Sequence, residues 1–442
     1  MRLIALIVGL ILAPPALAQS PFTGVWHGDL DVGAAQLRME LEVEETGEGL
    51  SAVLVSLDQG AARMPADSAI LHEGVLSVSI DRPGVRITLT ADSEDRISGS
   101  FFQGQSFPLL LERGRYPSGF TMPDQAGTDA EMTVMAGELV LAGSLRLPDG
   151  EGPFPGVLLL NGSGSQDRDA TIAGRPVFAV LANALAERGI ASLRLDDRGV
   201  GGSDAVPPAA PADLANDAAA AFEALRARPD ISGCTGILGH SEGGLIAFLA
   251  ADAAGPDFIV SLAGMAGTMR ETLYEQSEAL ILASGAGQAA ADQNRALQDA
   301  MFEVMSDPAV EDYPAAIGAV LVEMGFPAAQ AAQQGAIWGQ PYSIAMLDLD
   351  PAAAMAGYDG PVHAIYGDLD LQVLPDPNAA RLRTAREGLP TETSVIPGVN
   401  HLFQGAVTGL PGEYATATHA MAPEALAAIA DAVEGLAAAG CE

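Results

Sequence analysis

From Gln36 to Glu44 apolar and polar side chains alternate: Leu37, Met39, Leu41 and Val43 fall on one face, Arg38, Glu40, Glu42 and Glu44 on the other. A period of two with a single apolar face predicts a strand that buries one side and wets the other. Further strand-like runs follow at 50–56, 75–80, 85–91, 97–102 and 107–113, separated by Gly, Asp and Pro turn signals. Short strands at close spacing, with no helical period between them, predict a small antiparallel barrel or sandwich over residues 19–115.

A stretch rich in Pro, Gly and Asp, YPSGFTMPDQAGTDA (116–130), then forms a linker, and the period changes beyond it. Two hairpin-like strands at 131–147 lead into alternating strands and helices, among them PGVLLLNG, VFAVLANALAERG, ASLRLDD, TGILGHS, FIVSLAG, VHAIYGD and TSVIPG. That order predicts right-handed βαβ crossovers and a mostly parallel sheet flanked by helices over 131–442. Between residues 268 and 355 the alternation gives way to an Ala-, Gln- and Met-rich helical stretch. An insertion there is expected to form a cap over the carboxyl ends of the strands, where ligands bind in open α/β folds. Additional core helices elsewhere are the alternative.

Residues 1–18 place Arg2 ahead of an apolar run from Leu3 to Ala13 and end in Ala16-Leu17-Ala18. This is the pattern of a cleavable secretory signal, so cleavage is expected after Ala18, with a periplasmic or secreted product. The run is shorter than the roughly 20 apolar residues of a spanning helix, so no stable membrane insertion is expected after cleavage. Asp and Glu total 57 against 21 basic residues, all Arg, and the formal charge of -36 makes nucleic acid and anionic membranes poor partners. In an oxidising compartment Cys234 and Cys441 form either a disulfide or two free thiols; their separation does not resemble a metal-ligand set.

Candidate chemistry centres on Gly239-His240-Ser241-Glu242-Gly243, a G-x-S-x-G pattern between the strand TGILG and the helix-like GGLIAFLAADAAG. In that context the serine occupies a strained strand-to-helix turn, and glycines two positions to either side relieve collisions. A nucleophilic hydroxyl needs a base, and the base needs an orienting group. Of six histidines, His27 and His72 lie in the β segment, His240 in the turn, His363 inside an apolar strand and His419 in an Ala-rich helical context; His401, in the loop after the last strand, is the candidate base. Asp368 and Asp370, after the strand VHAIYG, are candidates for the acid. The oxyanion requires N–H donors: one from Glu242, the other from the loop NGSGSQDRD (161–169), at Ser163 or Gly164. The Glu242 carboxylate suits a helix N-terminus and receives no proton-transfer role.

With these residues assembled, the region from about 130 to 440 resembles the α/β-hydrolase superfamily, in particular exported bacterial esterases of the dienelactone-hydrolase and S33 serine-aminopeptidase type. The resemblance rests on NGSGSQDRD, RLDDRGVGGSD (194–204), GHSEGG (239–244), YGDLDLQV (366–373) and GVNHLFQ (398–404). It implies an eight-stranded sheet with a helical cap and Asp370, in Gly367-Asp368-Leu369-Asp370, as the acid. It further implies carboxylesterase activity on small-molecule esters of short to medium chain through a Ser241-His401-Asp370 triad, with Glu242 and Ser163 N–H groups as oxyanion donors and no cofactor or metal. Within RLDDRGVGGSD, Gly199, Gly201 and Gly202 would shape a turn, with Asp197 and Arg198 pairing with local backbone or each other. Asn161 stands where many relatives carry His. Two alternatives remain open at this stage: an aminopeptidase using a cap carboxylate (Glu303, Glu311, Asp312 or Glu323) to bind an ammonium group, and a catalytically silent binding or scaffold protein. Met301, Met305, Met324 and Trp338 could line an acyl pocket or form the cap's own core.

Overall fold

The computed structural model describes residues 20–32, 36–47, 49–57, 62–81, 84–116 and 120–439; the expected signal segment and Cys441 lie outside the described residues. Among the described residues, those up to 56 and from 62 to 116 form one compact unit, and those from 120 onward form a second.

The first unit is built from β1 (Gly24–Asp31), β2 (Gln36–Thr46), β3 (Gly49–Ser56), β4 (Ala62–Pro65), β5 (Ser68–His72), β6 (Val75–Ile80), β7 (Val85–Ser93), β8 (Arg96–Gln103) and β9 (Gln105–Arg113). Antiparallel pairing runs β2-β1-β9-β8-β7-β6-β5-β3, and the β2–β3 ladder closes the ring into a barrel, with β4 paired to β3. Alternation fills the interior: Met39, Leu41 and Val43 of β2 are buried together with Leu54, Val78, Leu89 and Leu111. Trp26, fully buried, anchors β1; its indole N–H donates to the carbonyl of Phe22 (2.7 Å) and the Arg113 guanidinium stacks 4.1 Å above its ring. One residue of the supposed wet face departs from the pattern. Glu40 is buried because the Arg115 guanidinium and the Tyr116 N–H, each at 2.7 Å, cover its carboxylate.

In the second unit the strands are β10 (Thr128–Ala136), β11 (Leu139–Leu147), β12 (Phe154–Leu160), the two-residue pair β13 (Thr171–Ile172) and β14 (Arg175–Pro176), β15 (Ala191–Leu195), β16 (Ile231–His240), β17 (Phe258–Leu262), β18 (Val362–Gly367) and β19 (Thr391–Ile396). The eight-stranded sheet has the order β10-β11-β15-β12-β16-β17-β18-β19 and is parallel from β15 onward. Successive residues of β12 point to opposite layers: Val157 and Leu159 pack with α1 (Val177–Glu187) and α11 (Pro423–Ala439), while Leu158 packs with α2 (Pro211–Arg226), α3 (Glu242–Ala254) and α10 (Pro375–Ala385). A sheet covered on both faces accounts for the near-continuous apolar runs PGVLLL and FIVSL. Cys234, buried in β16, lies against the last turn of α11, with Sγ 2.8 Å from the Ala437 carbonyl oxygen.

The helical insertion comprises α4 (Met269–Ala283), α5 (Gln288–Met305), α6 (Tyr313–Glu323), α7 (Ala328–Trp338), α8 (Pro341–Leu347) and α9 (Ala352–Gly357). A capping box starts it: Thr268 Oγ1 accepts from the Glu271 N–H, and the Glu271 carboxylate accepts from the Thr268 N–H. Met301, Met305, Phe302, Ile317 and Leu321 form the insertion's own core. Met324 is exposed.

Truncating the barrel's central side chain gives a direct check of this packing. Trp26→Ala is expected to lower unfolding stability by about 3–5 kcal/mol, read from urea denaturation followed by far-UV circular dichroism.

Candidate active site

The chain turns from β16 into α3 at Ser241, whose φ of 55° and ψ of −119° put a non-glycine residue in a strained conformation. Two glycines make that turn possible. A Cβ on Gly239 would stand 2.0 Å from the carbonyl oxygen of Gly243, and a Cβ on Gly243 would stand 2.4 Å from the carbonyl oxygens of both Leu160 and Asn161. The strand, the helix and the end of β12 therefore approach to backbone contact around the serine. The Ser241 N–H donates to Leu262 O of the neighbouring strand (2.8 Å), which fixes the turn against the sheet.

A parallel sheet covered on both faces, a serine at its central strand-to-helix turn and a helical insertion before the last two strands decide the fold. It is the α/β-hydrolase fold.

His401 sits in the loop after β19. Its Nδ1–H donates to Asp370 Oδ2 at 2.8 Å, which leaves Nε2 as the acceptor face of the ring. Asp370 is buried, and its other oxygen accepts from the backbone N–H groups of Gln372 (2.8 Å) and Val373 (2.9 Å). Asp368, the alternative acid, instead accepts from the Gly398 N–H (2.6 Å) and clasps a surface turn. Ser241, His401 and Ser163 line one cleft of about 710 Å³ together with Gly162, Gln166, His240, Leu280, Gln372 and Tyr414. The remaining histidines are elsewhere: His27 and His72 are in the barrel, His363 bonds Ser394 Oγ (2.6 Å) on its own sheet, and His419 lies in an irregular loop. The helical setting expected for His419 is thus corrected, because the chain bends there before Pro423 opens α11.

The neighbouring loop, residues 161–169, packs directly on the elbow: a Cβ on Gly162 would lie 3.2 Å from Ser241 Cβ. Glu242 is the first residue of α3, where backbone N–H groups have no partner within the helix. Its carboxyl is buried, accepts from the Tyr342 hydroxyl (2.9 Å), and is pushed above its ordinary pKa by that burial. Of the two settings expected for Asp197 and Arg198, bonding to backbone is found, at the Gln166 N–H for Asp197 and at the Val206 and Asp213 carbonyls for Arg198, and pairing with each other is not. Arg198 also reaches the carboxylate of Asp217 on α2 (2.6 and 2.9 Å), and Asp197 accepts from the Gln166 N–H (2.8 Å) and Asn161 Nδ2 (3.1 Å), tying the start of the 161–169 loop to its middle. Burial raises the Asp197 pKa to about 7, with Glu242 and Asp196 adding like charge.

Three contributors to the site escaped the motif reading. Asn400 accepts from the Leu402 and Gln404 N–H groups (3.0 Å each) and shapes the turn that presents His401; a buried Asn beside the candidate base is the signal that could have found it. His240 packs 4.8 Å from the His401 ring, and its Nε2–H donates to the His401 carbonyl (2.8 Å). Burial, with His401 nearby, lowers its pKa to about 3, so this ring stays neutral. Gln372 links the cap to the cleft, accepting from Gln276 of α4 (3.2 Å) and donating to the Tyr414 hydroxyl. Of the two settings expected for the cap's apolar residues, the cap's own core holds Met301, Met305 and Trp338, and none of these nor Met324 lines the cleft; Glu303, Glu311, Asp312 and Glu323 face solvent. Among the described residues no His, Cys, Asp and Glu side chains cluster as metal ligands, and no helix is long and apolar enough to cross a membrane.

Comparisons with known proteins find similarity to several hydrolases. The family model for serine aminopeptidases, S33, matches residues 176–312. Esterase EstD of Thermotoga maritima is 29% identical over 201 residues, covering 45% of this chain and 46% of that protein, so the match spans about half of each. Among solved structures, dienelactone hydrolase from Anabaena variabilis is similar at 20% identity with a TM-score of 0.37, covering 70% of this chain and 97% of that one. Proline iminopeptidase from Mycobacterium smegmatis is similar at 19% identity with a TM-score of 0.44, covering 70% and 99%.

Two outcomes follow from the site's packing. Gly243→Ala places a methyl group against two backbone carbonyls and is expected to destabilise the second unit by about 1–3 kcal/mol in chemical denaturation. For Asp197, a folded pKa raised from 3.8 to about 7 means that the folded state holds a proton the unfolded state has released. Its stabilising contribution is present below about pH 4 and is lost as pH rises toward 7. The stability difference between the wild type and Asp197→Asn is therefore expected to shift against the wild type from pH 4 to pH 7.5, measured by urea denaturation across that range.

Proposed function

We propose that the chain is an exported serine carboxylesterase, cleaved after Ala18 and released to the periplasm or the medium, acting on small esters of short to medium acyl chain. Ser241 attacks the ester carbonyl, His401 takes its proton through Nε2 and returns it to the leaving alcohol, and Asp370 holds the imidazole in the tautomer that allows this. The backbone N–H groups of Glu242 and Ser163 stabilise the oxyanion. Water, activated by the same histidine, then releases the acid from the acyl-enzyme. No step requires a cofactor.

The observation that carries this reading is the buried His401–Asp370 pair in the same cleft as a strained Ser241. The cleft also favours esters over amino-terminal peptides. Among the described residues no carboxylate lines it, so a substrate ammonium group would meet no counter-charge there.

Hydrolysis of acetyl, butyryl and octanoyl p-nitrophenyl esters, set against aminoacyl p-nitroanilides, tests both parts. Ester turnover is expected to exceed anilide turnover, and Asp370→Asn is expected to reduce kcat by a factor on the order of 10⁴ through loss of the correct tautomer. Faster turnover of the aminoacyl anilides would overturn the substrate assignment.

A further inference from the structure

The cap contains a second cavity, of about 340 Å³, which shares no lining residue with the catalytic cleft. Its volume falls at the lower end of the range for small-molecule sites, about 300–1,000 Å³. The lining is mixed, and its apolar part includes Leu273 of α4, Phe302 of α5 and the indole of Trp338 at the end of α7.

The polar part of the lining consists of amides alone. Asn294 and Gln298 stand four residues apart on α5, while Gln330, Gln334 and Trp338 repeat every fourth residue along α7, so each helix turns one amide-bearing face to the cavity. Gln298 is fixed as wall, accepting from Ser277 Oγ and donating to the Leu273 carbonyl (3.1 Å each). Among the described residues, the side-chain amides of Asn294, Gln330 and Gln334 have no protein partner. Among the described residues no charged side chain lines the cavity, although the chain carries 57 acidic and 21 basic residues. An anion would find no cation there, a cation no carboxylate. An uncharged group with hydrogen-bonding atoms and an apolar body would satisfy both surfaces.

The cavity is also coupled to the cleft by one helix. Leu273, Gln276 and Leu280 fall on a single stripe of α4 at spacings of three and four: Leu273 lines the cavity, Gln276 bonds Gln372 of the cleft, and Leu280 lines the cleft itself.

We propose that the cap cavity is a binding site for an uncharged amphipathic molecule, supplied either as the far end of a long ester or as a separate small ligand. Its apolar body packs on Trp338 and Leu273, and its hydroxyl, carbonyl or amide groups meet Asn294, Gln330 and Gln334.

Trp338 reports occupancy directly. The full chain carrying Ser241→Ala, which cannot turn over substrate, is titrated with octanamide and with octanoate while tryptophan emission is followed, and Trp338→Phe identifies the origin of the signal. Octanamide is expected to give a saturable change that disappears in Trp338→Phe and weakens at least fivefold in Gln334→Glu, with octanoate at least tenfold weaker. Absence of a saturable change in protein with native circular dichroism, or equal responses to the amide and the anion, would overturn the proposal. This readout needs no hydrolysis, so it stands apart from the esterase assignment. The source of the ligand is read in the wild-type background. If the cavity holds the far end of a substrate, Gln334→Glu raises KM for the octanoyl ester but not for the acetyl ester; if it holds a separate ligand, both KM values are unchanged.

Discussion

The backbone contact between Gly239 and Gly243 is the constraint on which the hydrolase unit depends. With 2.0 Å between a notional Cβ and the opposing carbonyl, no side chain fits between the end of β16 and the first turn of α3. That closeness turns the chain sharply enough to hold Ser241 at positive φ, and the strain persists because β16 lies in the middle of the sheet with α3 packed over it. The same approach presses Gly243 onto the carbonyls of Leu160 and Asn161, which brings the 161–169 loop against the serine. One steric condition thus unites strand, helix and loop at a single point.

The histidine side of the cleft is positioned by hydrogen bonds instead. Asn400 closes the turn, Asp370 holds Nδ1, and His240 grips the carbonyl of His401 from the strand that carries the serine. His240 can occupy that place because its burial keeps it uncharged beside a second imidazole. Acidic groups beneath the loop work under a related condition. Asp197 and Glu242 are buried near one another, and each is biased by burial toward its protonated form. The arrangement lets a chain of charge -36 keep carboxyl groups next to its elbow without concentrating negative charge there.

Much of this was legible in the sequence because its causes are local. The period-two pattern at 36–44, the glycines around Ser241 and the alternating strands and helices after residue 130 each follow from steric or burial rules acting over a few residues. Strands β1, β4 and β5 were missed: β1 carries Gly28 and two Asp residues, and β4 and β5 are only four and five residues long, so none shows a sustained apolar period. Pairings between distant segments were not readable. Arg198 in the turn after β15 found Asp217 on α2, and Glu40 of β2 found Arg115 beyond the end of β9, because such partners are chosen by the fold and not by proximity in sequence. For the cap's side chains the sequence left two settings open, an acyl pocket or the cap's own core. Their helical spacing gave amphipathic faces, but whether Met301 and Trp338 faced the cleft or the cap's interior depended on how six helices packed together.

The central claim is that Ser241 is a nucleophile activated by His401. The most direct measurement is intact mass after brief exposure to a fluorophosphonate, comparing the wild type, Ser241→Ala and His401→Ala. The account predicts one adduct in the wild type, none in Ser241→Ala, and labelling slowed by orders of magnitude in His401→Ala. An unlabelled but folded wild type, or an adduct that survives in Ser241→Ala, would contradict it.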